Sequence, residues 1–166
     1  MEVIKVRRSI RKFSKEAISE ENLDKLVRAG MQAPTATNQQ ANCFYIVRKR
    51  ENLDILGDKL QNARMLKDAN AAIIVLINKN KLNKPTMKSQ DAASATTNIL
   101  LEATYLGIGS CWCGIYPNVE RMDIIREVLK LEEDFIPFSI IALGYPENEN
   151  QFYFIDRYDE AKVFRD

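Results

Sequence analysis

The sequence contains no histidine among its 166 residues. This absence excludes serine–histidine and cysteine–histidine catalytic pairs, and it excludes metal sites that depend on imidazole ligands. No metal site is therefore predicted. If the chain is an enzyme, we expect a bound cofactor to carry the chemistry.

Cysteine is also scarce, with Cys43, Cys111 and Cys113 as the only three. They do not form the two pairs typical of a zinc site, and the spacing of Cys111 and Cys113 differs from a thioredoxin-like motif. The two are also too close in sequence to stabilise much structure as a disulfide. We interpret all three as reduced cysteines that pack in the interior.

Long apolar runs and a strong net charge are missing as well. No run approaches the ~20 residues needed to span a bilayer, and the N-terminal residues lack the apolar stretch of a signal peptide. The formal net charge is only +1, so no global field would attract nucleic acid. We therefore expect a cytoplasmic protein whose partners include neither a membrane nor nucleic acid.

The patterns that are present predict one mixed α/β domain over residues 1–166. Its predicted helices cover residues 19–32, 51–60, 89–106 and 120–129, and its predicted strands cover residues 43–47, 70–77, 110–116 and 138–143. Small residues along the third of these helices would let a second helix approach closely. The final segment, residues 147–166, mixes acids with aromatic residues, and it needs a surface to cover on its own domain or on a partner subunit.

A basic cluster opens the chain. Arg7, Arg8, Ser9 and Arg11 place three guanidinium groups and a hydroxyl within five positions. Guanidinium groups match phosphate oxygens in a bidentate geometry, so the cluster suits a phosphate monoester. From its spacing alone, the cluster could equally be a solvated basic patch at the end of a helix.

Three later segments could also contact a ligand. Residues 34–40 are rich in hydroxyls and amides that could bind a heterocycle, although a plain connecting loop has the same composition. Residues 107–114 contain two glycines without a dinucleotide-binding arrangement, and Gly114 would let the backbone approach a planar ligand. Arg157 lies between acids, which is also typical of a surface ion pair.

Four segments, taken in order, resemble the nitroreductase family of flavoproteins over almost the full chain. They are Arg-Arg-Ser-Ile-Arg-Lys-Phe at 7–13, Ala-Pro-Thr-Ala-Thr-Asn with Gln40 at 33–40, Asn98 to Gly114, and Leu-Gly-Tyr-Pro at 143–146. The resemblance implies an α+β fold with a mixed sheet flanked by helices. It also implies an intertwined homodimer with two FMN sites at the subunit interface.

The resemblance further assigns residues to the cofactor. Arg7 and Arg157 would bind the phosphate, with Arg8 and Ser9 alongside, and Arg11 would place a cation near the flavin ring. Asn62 would contact the pyrimidine edge of the ring. The backbone of Cys113 and Gly114 would face the flavin N5. The partner subunit would contribute four residues of its loop, namely Pro34, Thr35, Ala36 and Asn38.

The chain departs from the family pattern at several positions. Gln40 is followed by Ala41-Asn42 in place of Pro-Trp, Ile155 replaces a second cation in the tail, and Met65 replaces a lysine. The absence of the tail cation and of the lysine predicts a phosphate site with fewer cations, and the absence of Pro-Trp removes the packing of a tryptophan after the loop. The segment of residues 78–110 is short for the family, so we expect the helices that cover the active site in longer members to be missing.

The expected activity is transfer of a hydride from NADH or NADPH, through the flavin N5, to a nitroaromatic, quinone or similar electron-poor acceptor. The flavin would carry the chemistry, so no side chain is assigned as catalytic. One alternative is another flavin reaction on the same fold, such as dehalogenation or flavin cleavage. A second alternative is a non-catalytic FMN-binding or redox-sensing dimer.

Overall fold

The computed structural model describes residues 2–148 and 150–166, and these ranges form an α+β fold. The helices are α1 (Glu2–Val6), α2 (Glu20–Met31), α3 (Arg50–Lys59), α4 (Lys88–Tyr105) and α5 (Val119–Leu129). The strands are β1 (Asn42–Val47), β2 (Ala71–Asn78), β3 (Gly109–Gly114) and β4 (Phe135–Gly144). Short 3₁₀ turns lie at Ala36–Asn38, Gln61–Lys67, Lys79–Lys81, Pro85–Met87 and Glu160–Lys162.

All eight predicted helices and strands are present. Helix α2 is an example of a helix with clear sequence signals. The hydroxyl of Ser19 caps the helix by accepting a hydrogen bond from the backbone amide of Asn22. Leu23 and Leu26 are buried on one face of the helix. Helix α1 is not predicted, because five residues are too few to show a helical period.

The four strands form one sheet in the order β1-β2-β4-β3, and each neighbouring pair is antiparallel. Within the described ranges, the one parallel pairing is an isolated bridge between Ser9 and Ser110. The mixed character of the sheet therefore depends on the N-terminal segment, which lies along the outer edge of β3.

Helices cover both faces of the sheet. Helices α2 and α4 pack on one face through side chains such as Leu26 and Ile99. Helices α3 and α5 pack on the other through side chains such as Leu56 and Ile125. Strand β2 is buried along almost its whole length, as its continuous apolar run predicts.

Two glycines bring the N-terminal segment against the sheet. A Cβ atom at Gly109 would lie 2.8 Å from Ile10 Cγ2 and 2.9 Å from the carbonyl oxygen of Gly144. A Cβ atom at Gly144 would lie 2.8 Å from Phe13 Cβ. Because Ile10 and Phe13 are buried at these contacts, the segment that carries the basic cluster is held against the sheet.

None of the helices in residues 2–148 and 150–166 is both long enough and apolar enough to cross a membrane. The cytoplasmic location stays a prediction.

Candidate functional site

The basic cluster begins where α1 ends. Arg8 Nη1 donates to the carbonyl oxygens of Arg7 at 2.6 Å and of Lys5 at 3.3 Å. Its guanidinium lies over the ring of Tyr153, 4.6 Å from the centroid. Arg8 Nε and Nη2 are buried and have no hydrogen-bond partner. A half-buried guanidinium with two free donors is suited to an anionic acceptor.

A second group of polar atoms surrounds the end of β3. Asn62 Nδ2 donates to the carbonyl oxygen of Gly114 at 2.9 Å, and Arg121 Nη1 donates to the same oxygen at 3.0 Å. Asn62 Oδ1 is buried without a partner. A Cβ atom at Gly114 would meet nothing within 4 Å. The strand therefore ends in open space beside an acceptor that a ligand N–H could use.

One strand connects the two groups, since Ser9 bridges Ser110 near the start of β3 and Asn62 bonds to Gly114 at its end. The charges of Arg11 and Arg7 act on Cys111, and those of Arg11 and Arg121 act on Cys113. A hydrogen bond from Cys113 and, to a smaller extent, the charges of Arg11 and Arg7 lower the pKa of Cys111 to about 7, although burial raises it. The same hydrogen bond, together with burial, raises the pKa of Cys113. Cys113 Sγ also lies 3.6 Å from Met65 Sδ.

The remaining predicted ligands are not part of this group within one chain. Thr35 and Ala36 belong to a loop that packs on the first turn of α4, where the amide of Ala36 donates to Asp91 Oδ1. Pro34 and Asn38 are exposed on the same loop. In the described ranges, no hydrogen bond links this loop to the basic cluster or to Asn62.

The tail holds the last predicted ligand. Phe152 packs against its own core and Tyr153 covers Arg8, but the residues after them are exposed. Phe164 is 93% exposed. Arg157 is exposed and takes part in none of the ion pairs found among residues 2–148 and 150–166.

The structure thus distributes these predicted ligands along β3. Asn62, Cys113 and Gly114 lie at its end, and the segment of Arg7, Arg8, Ser9 and Arg11 lies beside its start, where Ser9 bridges Ser110. The structure also adds three residues that the sequence does not single out. Arg121 shares the Gly114 carbonyl with Asn62, and Gln39 and Asp91 support the loop. Gln39 and Asp91 are paired across 52 positions, and Arg121 reaches Gly114 only through the turn between β3 and α5, so the sequence assigns none of them a role.

Comparison with known proteins decides the family. The model of the nitroreductase family matches residues 4–65 and 56–145. A relative from Archaeoglobus fulgidus, provisionally named an NADH dehydrogenase/NAD(P)H nitroreductase, is 42% identical over 100% of this chain and 97% of its own length. The chain belongs to the nitroreductase family.

Solved structures of this family have the same fold. A provisionally named NADH oxidase from Clostridium acetobutylicum is 41% identical and superposes with a TM-score of 0.94, over 98% of this chain and 97% of its own. A provisionally named nitroreductase from Desulfovibrio desulfuricans, solved in complex with FMN, is 25% identical with a TM-score of 0.85, over 99% and 94%. The α+β fold expected of a nitroreductase-family chain is confirmed.

Proposed function

We propose that this chain is an FMN-dependent oxidoreductase that uses NADH or NADPH to reduce nitroaromatic, quinone or similar electron-poor acceptors. The observation that carries the proposal is the arrangement of cationic, amide and open backbone groups along β3, with the basic cluster beside its start and Asn62 and Gly114 at its end. The family and the FMN bound to the Desulfovibrio desulfuricans relative support it.

The donors and acceptors at this site fit FMN. Its phosphate is matched by Arg7 and by the two unpartnered nitrogens of Arg8. The pyrimidine edge of the flavin offers an N–H donor, which Asn62 Oδ1 can accept because Asn62 Nδ2 is already bound to Gly114. The open space at Gly114 lets the isoalloxazine ring approach the strand closely.

Bound FMN would supply the two-electron chemistry, accepting a hydride from the nicotinamide at N5 and passing it to the acceptor. The protein would bind and tune the cofactor. Arg11 is oriented by a hydrogen bond from its Nη1 to the carbonyl oxygen of Ser9 at 3.2 Å, and its charge acts on β3. A fixed cation there would stabilise negative charge that develops on the ring.

The proposed assembly is a homodimer with FMN at the interface. The loop of residues 34–38 lies apart from the basic cluster within one chain, so a second subunit would supply it. A groove of about 480 Å³ lined by Val3, Leu101 and Tyr105, among others, together with the exposed aromatic tail, offers apolar surface for a second copy. Arg157 would reach the phosphate through that tail.

Purification tests the cofactor assignment. We expect a yellow protein that releases FMN on denaturation, and a colourless protein that also fails to take up added FMN would refute the assignment. Stopped-flow mixing with NADH and with NADPH then tests the activity. Rapid bleaching of the flavin by at least one donor is expected, followed by reoxidation on addition of a nitroaromatic or a quinone.

The same mixing experiment separates the proposal from a non-catalytic FMN-binding or redox-sensing dimer. That alternative is favoured by one observation, namely that Ile155 stands where the family has a second tail cation. Flavin that neither nicotinamide can bleach would support the alternative.

A further inference from the structure

Asp91 is a buried carboxylate, and both of its side-chain hydrogen bonds go to the loop of residues 34–40. It lies in the first turn of α4 and is only 6% exposed. Its Oδ1 accepts from the backbone amide of Ala36 at 3.0 Å, and its Oδ2 accepts from Gln39 Nε2 at 2.6 Å. Within the described part of the chain, no lysine or arginine forms an ion pair with it. Burying a charge without a neighbouring cation costs free energy, and these two hydrogen bonds offset that cost.

Gln39 extends the contact to a second segment. Its Oε1 accepts from the backbone amides of Asn83 at 3.1 Å and Lys84 at 2.9 Å. The side-chain amide can serve Asp91 and these two amides only in one orientation, since its nitrogen donates and its oxygen accepts. Gln39 is itself buried. The Gln39 side chain is therefore held in the orientation that donates to Asp91 and accepts from Asn83 and Lys84.

The loop between these anchors has a conformation that needs support. Thr37, Asn38 and Gln40 have φ angles of 51°, 56° and 45°, in the left-handed region that residues other than glycine rarely adopt. Asp91 binds the residue before this run through Ala36, and it binds Gln39 inside it. Internal bonds alone, such as Thr35 Oγ1 with the amide of Gln40, leave the loop unattached to the helix.

We infer that Asp91 and Gln39 are positioning residues of the cofactor site, which fix the loop of residues 34–40 in the conformation that FMN requires. The inference rests on the proposed function, because it needs this loop to contact FMN bound to the other subunit. Asp91 touches no cofactor atom itself. It acts through Ala36 and Gln39.

The test reverses the polarity of the Asp91–Gln39 pair. Asp91→Asn presents an N–H donor either to Gln39 Nε2 or to the amide of Ala36, and Gln39→Glu sets a second carboxylate against Asp91. Each single variant should weaken FMN binding about tenfold or more, the scale of a lost charged hydrogen bond. The double variant Asp91→Asn with Gln39→Glu restores a donor facing an acceptor between the two side chains and at the amides of Ala36, Asn83 and Lys84, and it keeps the total charge. It loses only the long contact of 3.5 Å from Gln39 Nε2 to the carbonyl oxygen of Lys84. It should regain wild-type FMN affinity to within about threefold.

A matched control separates positioning from general stability. Thr96 is buried on the same helix and bonds to Ser139 Oγ, away from the loop. Thr96→Val should lower the Tm without changing the FMN Kd, measured by fluorescence titration. If Asp91→Asn does not fold, Gln39→Met replaces it in the comparison with Thr96→Val. Gln39→Met removes the hydrogen bonds of Gln39 but leaves the bond between Asp91 and Ala36.

The outcomes are distinct. Loss of FMN affinity in the single variants, recovery in the double variant and no loss in Thr96→Val support the inference. The inference is overturned if Asp91→Asn binds FMN as tightly as the wild type. It is also overturned if Thr96→Val loses as much FMN affinity as Asp91→Asn when the two variants have the same Tm. Either result leaves the proposed function intact. If the wild-type protein itself binds no FMN, the proposed function fails first.

Discussion

The three arginines of the N-terminal cluster differ in their surroundings although they are almost adjacent in sequence. Arg7 is half-buried after α1, Arg8 lies beneath Tyr153 with two donors unpaired, and Arg11 is exposed but held by the carbonyl of Ser9. Identical side chains are thereby suited to different tasks. The environment of each guanidinium, which the sequence does not show, is in keeping with the proposed division between phosphate binding and tuning of the ring.

Replacement of Arg7 tests its role at the phosphate. We expect Arg7→Ala to weaken FMN binding by about 1.5–3 kcal/mol, because a charged hydrogen bond is lost. Lys12→Ala is the matched control, since Lys12 is an exposed cation of the same segment with no proposed role in the site. Fluorescence titration with FMN measures both variants. Equal affinities for Arg7→Ala and the wild type would show that Arg7 is only a surface charge.

The thiols of β3 give a pH-dependent signal in the cofactor-free protein. Because the pKa of Cys111 is lowered to about 7, the thiolate absorbance should rise as the pH increases through that value. Cys111→Ser should abolish this step. Arg11→Ala should move it to higher pH, because Arg11 is one of the charges that lower the pKa.

The control for this titration is Cys43, whose pKa is raised by burial. Cys43→Ser should leave the step unchanged. A step that is lost in Cys43→Ser instead, or one that does not respond to Arg11→Ala, would contradict the placement of Arg11 beside β3.

Strand β3 shows how one element serves both the fold and the site. Gly109 at its start is surrounded by Ile10 and Gly144, whereas Gly114 at its end faces open space. The first glycine therefore allows the chain to pack, and the second leaves room for a ligand. The two glycines of one six-residue strand should respond to the same substitution in opposite ways.

Alanine at Gly109 should destabilise the protein. The new methyl would overlap Ile10 and the backbone of Gly144, and overpacking of this kind costs about 1–3 kcal/mol. Denaturant unfolding of the cofactor-free protein measures the loss. Unchanged stability would mean that the N-terminal segment does not press on β3.

Alanine at Gly114 should leave the free energy of unfolding of the cofactor-free protein almost unchanged, because the added Cβ meets no atom. The FMN affinity should fall, because the methyl would occupy the space proposed for the ring. The same unfolding and titration experiments measure both effects. An undiminished FMN affinity would place the ring elsewhere.

Much of the fold is visible in the sequence, but the site is visible only in part. Helix α4 and strand β2 are predicted because their apolar residues repeat or run without interruption. The bond between Gln39 and Asp91 joins residues 52 positions apart, and no local pattern signals it. The position of Arg121 beside Gly114 likewise depends on how α5 packs against the sheet. Side chains that act through distant partners become recognisable only once the chain has folded.

At the scale of the whole molecule, the proposed site would be divided between the two subunits of the proposed homodimer. Each chain carries the basic cluster at one place and the loop of residues 34–40 at another. A single chain would therefore present two half-sites, and binding of FMN would depend on assembly.

Mixing of two defective variants tests this division. Arg7→Ala damages the cluster and Asn38→Gly damages the loop, while glycine tolerates the φ of 56° at that position. Each homodimer should bind FMN poorly. Co-expression of the two should restore about a quarter of the wild-type sites, because a mixed dimer places both changes in one site and leaves the other intact. Titration of FMN against the unseparated co-expressed protein counts them.

The control is a mixture of two variants from the same half-site, Arg7→Ala with Asn62→Ala. Both damaged groups then come from the same side of each interface, so every site keeps a defect and no recovery is expected. Recovery in this control, or its absence in the first mixture, would contradict a shared site.

The bridge between Ser9 and Ser110 has one more consequence. Strand β3 is an outer strand of the sheet, and an outer strand with unpaired backbone groups is a template for pairing with other chains. Residues 9 and 10 cover part of that edge, with the amide of Ile10 donating to the carbonyl oxygen of Ser110 at 3.0 Å. Detachment of this segment would carry the arginines away and uncover the edge of β3 in one event. Loss of cofactor would then coincide with a tendency to aggregate, and resistance to aggregation would become a measure of how firmly the N-terminal segment is seated.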